Sequence, residues 1–159
     1  MIVSDTSPIT NLIQVDQLEL LRRVFGEIII PQKVFEELSA YEGHKKLIEL
    51  QSWILVKSVN DEAEVKILEE VLDPGEAEAI VLAKELDAEF LIIDEKRGRR
   101  IAKTHGLRIT GLLGVLIRGK KQGYLNELKP ILDKLIDELQ FRVDRNLYEW
   151  TLSEVGEEI

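Results

Sequence analysis

The sequence predicts an α/β fold: a central parallel sheet with helices on both faces. Two observations carry this. Short apolar runs of strand length alternate with longer amphipathic stretches of helical length. No linker, repeat or low-complexity stretch interrupts that alternation, so residues 1–159 are expected to form a single domain, long enough for a real hydrophobic core.

The elements follow in order. Ile2–Asp5 (IVSD) is the first strand, and Ser7–Pro8 reads as a helix start with Ser7 as N-cap and Pro8 at the first helical position. Glu27–Ile30 (EIII) is the second strand, and Pro31 opens the helix PQKVFEELSAY. Trp53–Val59 is a strand or an extended link. Asp73 caps, and Pro74 opens, the helix PGEAEAIVLAKEL. Phe90–Asp94 (FLIID) is a buried strand and Arg108–Thr110 a short one. Helices are predicted over roughly Gly111–Lys121, Glu127–Leu139 and Arg145–Val155, with Phe141–Asp144 (FRVD) as a last strand.

In such a sheet, function collects at the C-terminal ends of the strands, and four carboxylates fall there. Asp5 ends the first strand and is spared capping duty by Ser7. Asp94 ends FLIID, although it could equally N-cap EKRGRRIA. On the helix opened by Pro31, the apolar stripe is Val34, Leu38 and Tyr41; Glu37 lies about 60° from Val34 on that side, whereas Glu36 points nearly opposite. Glu76 shares a helix row with Ile80 and Ala83, but Asp73-Pro-Gly-Glu76 also has capping-box spacing. Glu78 faces a different side and is the weaker candidate. Singly each acid has a structural explanation. Together they would repel one another, and a divalent cation would relieve that repulsion.

Composition narrows the chemistry. There are no cysteines and two histidines, His44 and His105, so any metal must be held by carboxylates, which favours Mg²⁺ or Mn²⁺ over zinc. No secretory signal or membrane-length apolar run is visible, so a cytoplasmic location without membrane partners is expected. The net charge of −9 argues against a general nucleic-acid binder. Yet Lys96–Lys121 holds nine Lys or Arg residues and no Asp or Glu, leaving −18 on the rest (−9 minus +9). That segment is either a phosphate-binding surface or a solvated face.

The stretches VSDTSPI, IIIPQKVFEEL, PGEAEAIVLAKEL, LIIDEKRGRRIA and GLRITGLLGVL stand in an order and spacing that resemble the PIN-domain family, and within it the toxin-like group related to VapC-type ribonucleases. The resemblance covers nearly the whole chain. It implies a three-layer α/β/α fold and Mg²⁺- or Mn²⁺-dependent RNA cleavage. The family's acids match Asp5, Glu37, Glu76 (commonly Asp in the family) and Asp94. The hydroxyls of Thr6 and Ser7 match a polar contact to the metal shell, and Arg99 a phosphate contact or a surface ion pair. Arg97 and Arg100 are further candidates for phosphate.

Two functions are therefore weighed. One is an endoribonuclease, for which the resemblance implies a toxin held by an antitoxin, using water as nucleophile; no histidine pair is available to activate the ribose 2′-hydroxyl. The other is an inactive PIN-like module that binds RNA or protein. A phosphoacceptor receiver domain fits less well, because Asp5 stands alone and RIT carries no lysine. Surplus apolar residues at Leu112, Leu113, Leu116 and Ile117, together with the family resemblance, lead to the expectation of a homodimer.

Overall fold

A computed structural model describes all 159 residues. The strands are β1 (Ile2–Ser4), β2 (Ile28–Pro31), β3 (Ile54–Lys57), β4 (Phe90–Ile92) and β5 (Ile109–Thr110). All pair in parallel, in the order β3-β2-β1-β4-β5. Strand alternation divides the interior in two. Ile2, Ile28, Ile30 and Ile92 enter one core, and Val3, Ile29, Leu91 and Ile93 enter the other. Burial on both faces is why these strands are apolar throughout and show no polar alternation.

The helices are α1 (Thr6–Gln14), α2 (Glu19–Phe25), α3 (Gln32–Ser39), α4 (His44–Glu49), α5 (Glu62–Leu68), α6 (Pro74–Glu85), α7 (Lys96–Thr104), α8 (Leu112–Lys121), α9 (Lys129–Leu139) and α10 (Arg145–Glu154). Leu12, Leu20, Leu116, Leu132 and Leu152 bring α1, α2, α8, α9 and α10 onto the first core. Val65, Ile80 and Ala102 bring α5, α6 and α7 onto the second. The result is the three-layer α/β/α sandwich. No helix is long and apolar enough to cross a membrane.

Several local expectations are corrected. Ser7 is not the N-cap of α1: the helix starts two residues earlier than that requires, and Asp5 occupies the cap position. Phe141–Asp144 forms no strand. Gln140 ends α9 in a left-handed turn (φ 56°), Phe141 and Val143 pack half-buried against the first core, and Asp144 caps α10 through the Leu147 amide at 2.8 Å. The segment thus buries its apolar side chains without needing a sheet edge. Leu112 and Leu116 are fully buried, and Leu113 and Ile117 pack against the same core. Their apolar surplus is consumed within the chain and gives no reason for a dimer. Tyr41 leaves the apolar stripe because α3 stops at Ser39, and its side chain is 48% exposed.

Candidate active site

The chain runs from β1 outward through β2 and β3, then returns to the other side of β1 with β4 and β5. The gap between β1 and β4 is the switch point where parallel sheets form their functional crevice. Ser4 pairs with Ile92, and the Asp5 amide donates to the Ile92 carbonyl at 2.9 Å. Asp5 and Asp94 therefore emerge side by side at the C-terminal edge. Asp5 is 4% exposed, and its carboxyl makes no bond that caps α1. Burial pushes its pKa up to about 7, against the pull of the Thr6 amide, and repulsion from Asp73, Glu37 and Asp94 adds to the rise.

The helical phase of α3 separates its paired glutamates as the spacing predicts. Glu36 is exposed and pairs with Lys33 at 3.1 Å. Glu37 turns inward and accepts the Thr6 hydroxyl at 2.5 Å. Glu78 accepts the Lys33 amide at 3.0 Å, so it satisfies the first turn of α3, which has no side-chain cap of its own. Its role is accounted for structurally.

Glu76 forms the capping box its spacing predicts: Asp73 Oδ1 accepts the Glu76 amide at 2.8 Å, and Glu76 Oε1 accepts the Asp73 amide at 3.3 Å. That explains one oxygen. The other, Oε2, is buried without a partner. Burial, then contact with Asp73 and repulsion from Asp73 and Asp5, raise the Glu76 pKa to about 8. Asp94 does not cap the helix that follows it; Glu95 stands at the cap position of α7. Asp94 Oδ1 instead accepts the Leu112 amide at 2.9 Å, at the start of α8. Its Oδ2 is also buried and unpartnered. Burial raises this carboxyl, opposed by the Leu112 amide and the charge of Arg99.

Three of the four acids rest on glycines, a feature the sequence did not disclose. The position of a Cβ on Gly75 is filled by the Glu37 carboxylate. A Cβ on Gly98 would lie 2.7 Å from Glu76 Oε2 and from Ile93 Cδ1. One on Gly111 would lie 2.6 Å from Asp94 Oδ1 and 2.7 Å from Arg99 Nη1. The missing side chains make the space in which the carboxylates sit.

A cleft of about 620 Å³ opens at this edge. Asp5 and Glu37 line it, as do Thr6 and Ser7, while Glu76 and Asp94 are not on its wall. Asp73 and Glu95 also line it and were missed as site residues. Asp73 was legible only as a cap, although the helix it starts opens at the same edge. The donor chemistry suits a hard divalent cation: every donor is a carboxylate oxygen, and two buried oxygens have no partner. The arrangement is open, for no three acidic or histidine side chains converge as a ready-made cage.

The basic segment divides. Arg118 stacks over Phe90 and Phe25 at 4.7 and 5.8 Å. Lys120 and Lys121 pair with Glu157 and Glu154 at 3.3 and 2.8 Å. On α7, Arg97 is exposed and donates to the Val71 carbonyl at 3.2 Å. Arg99 is half-buried and donates to the Ile93 carbonyl at 2.7 Å. It makes no surface ion pair; one of its donors is tied to the Ile93 carbonyl, and its charge lies beside Asp94. Arg100 is exposed.

No curated protein and no solved structure gives a match. A family model for DUF3368, described as a PIN domain, matches residues 1–157. PIN domains are generally nucleases that act on RNA or DNA with divalent metal ions. A match over almost the full length, on a chain whose parallel sheet carries its acids at the switch point, means that this protein belongs to the PIN-domain family.

Proposed function

We propose that the protein is a metal-dependent endoribonuclease. The observation that carries this is Asp5: a carboxylate buried at the switch point, surrounded by other acids, with no cationic side chain to pair it. Uncompensated burial of this kind costs several kcal/mol if the group is charged. It is intelligible where a cation is to be bound.

Asp5 and Asp94 would hold Mg²⁺ or Mn²⁺, with Glu76 and Glu37 completing the set. When bound, the ion supplies a water of lowered pKa and charge to offset that developing on the phosphoryl oxygens. The chain's own residues do the rest. The Leu112 amide fixes Asp94, the Asp73 amide fixes Glu76, and the Thr6 hydroxyl fixes one oxygen of Glu37. The same hydroxyl leaves the second Glu37 oxygen to take a proton from the attacking water. Attack at phosphorus with departure of the 3′-oxygen leaves 5′-phosphate and 3′-hydroxyl ends. Neither histidine substitutes for this route: His105 contacts Lys84 at 3.0 Å, and His44 stacks on Tyr41. A toxin role with a restraining antitoxin and a homodimer are proposed on the family resemblance alone, and a cytoplasmic location on the reading of the sequence.

One observation favours the second reading, an inactive module that binds RNA or protein: the acids do not converge as a cage. Incubating purified protein with single-stranded RNA in Mg²⁺, in Mn²⁺ and in chelator separates the two. Cleavage with either metal and none in chelator is expected. Intact RNA in every condition would leave only the binding module.

A further inference from the structure

The cleft has two unlike halves. Around Asp5, Glu37, Asp73 and Glu95 it is acidic. Beyond them its wall is the polar face of α1 with Tyr41. No Lys or Arg lines either half. The second half offers a backbone phosphate no Lys or Arg to pair with, so the part of an RNA strand it suits best is an uncharged one. The uncharged parts of an RNA strand are the ribose and the base.

The wall is equipped for a base. The Thr6 hydroxyl is committed to Glu37 and the Thr10 hydroxyl to the Thr6 carbonyl at 3.3 Å. Asn11 and Gln14, three residues apart on one side of α1, line the cleft with carboxamides that make no hydrogen bond within the protein. A carboxamide offers a donor and an acceptor side by side, which matches the edge of a nucleobase. Tyr41 lines the cleft and is 48% exposed, with its ring against His44 at 5.2 Å between centroids. One ring face is thereby supported and the other is available for stacking.

We propose that Asn11, Gln14 and Tyr41 form a nucleobase subsite beside the acidic site, so that the enzyme selects the base next to the bond it cuts. This rests on the ribonuclease reading above, and the test separates the two. Affinities for short fluorescent homopolymers of adenylate, uridylate and cytidylate are measured by anisotropy in Ca²⁺. The wild-type chain should favour one homopolymer by about tenfold or more, the scale of a good bidentate base contact. Combining Asn11→Ala with Gln14→Ala should make the affinities equal. No hydrogen bond within the protein is lost and alanine favours the helix, so the fold is retained. Tyr41→Ala should weaken every homopolymer by roughly tenfold, and Tyr41→Phe should restore binding. Equal affinities in the wild type, a preference that survives the double substitution, or an inert Tyr41→Ala would overturn the subsite while leaving the nuclease reading standing. Failure of the wild type to bind any of the three RNAs would overturn both.

Discussion

Two acidic places on this molecule are treated in opposite ways. Between α9 and α10, Asp133 accepts the Tyr148 hydroxyl at 2.6 Å and pairs with Lys129 at 3.0 Å. Burial works against its charge, but those partners outweigh it and hold its carboxyl below the usual range. Glu157 behaves alike: burial opposes its charge, yet the Leu128 and Lys129 amides and Lys120 lower its pKa. At the sheet edge, Asp5 and Glu76 are pushed up to about 7 and 8, and buried oxygens of Glu76 and Asp94 have no partner. The same fold gives a cation to the carboxylates that hold helices together, and beside β1 and β4 it leaves Asp5 without one and one oxygen each of Glu76 and Asp94 without a partner. Carboxylates left in that condition are the ones to connect with chemistry.

The contrast breaks most visibly by mutation. Asp5→Asn and Asp94→Asn should each cut metal-dependent RNA cleavage by more than about a hundredfold, because several kcal/mol of transition-state stabilisation depend on the ion they would hold. Asp133→Asn should leave cleavage unchanged and cost about 1 kcal/mol of stability at most, since the pair is partly solvated. On α3, Glu37→Gln should impair cleavage while Glu36→Gln should not. Cleavage rates together with thermal melts check all five; equal sensitivity at Asp5 and Asp133 would erase the distinction.

The glycines sharpen it. Gly98→Ala should displace the Glu76 carboxylate, and Gly111→Ala should displace Asp94 or Arg99. Misplacement by about 1 Å can cost on the order of a hundredfold in rate. A loss of tenfold or more is expected in each, with metal affinity falling in parallel. Wild-type kinetics in both variants would mean that the carboxylates need no such seat.

How much of this was legible in the sequence depended on range. Alternating runs gave the parallel sheet, and helical phase separated Glu37 from Glu36, because both are local periodicities. Capping-box spacing explained one oxygen of Glu76 and concealed the unpartnered one, since burial of Oε2 is set by α7 packing across it through Gly98. For Asp94 the alternative of capping the next helix stayed open for a similar reason: its partner is an amide eighteen residues away on α8, not on the next turn. The short helices α2, α4 and α5 were not anticipated, because six or seven residues carry too little periodicity.

A smaller effect should appear in stability against pH. Asp5 and Glu76 have folded pKa values above their unfolded ones, so the folded state binds more protons between them. Their contribution is fully present below about pH 4 and is lost as pH rises through about 7 to 8. Metal-free protein should therefore lose on the order of a few kcal/mol of unfolding free energy from these two groups between pH 5 and pH 8. Denaturant melts in chelator, with Asp5→Asn removing part of the slope, check the sign.

The smallest expected effect belongs to the basic face. Arg100 is exposed on α7, whereas Arg99 is tied to the Ile93 carbonyl. Arg100→Ala should flatten the log–log salt dependence of RNA binding by about 0.7, one phosphate contact on a single strand. An unchanged slope for Arg97→Ala and Arg100→Ala would make α7 a solvated face.

The central proposal is that the edge carboxylates, left with incompletely partnered oxygens, bind a divalent cation. Titration of Mn²⁺ into metal-free protein at pH 7, in two buffers of different ionisation enthalpy, tests it directly. The account predicts saturable binding with release of protons, because raised carboxyls must deprotonate to bind. It also predicts that binding is lost in Asp5→Asn and kept in Asp133→Asn. Absence of Mn²⁺ binding, or binding that survives Asp5→Asn undiminished, would contradict it.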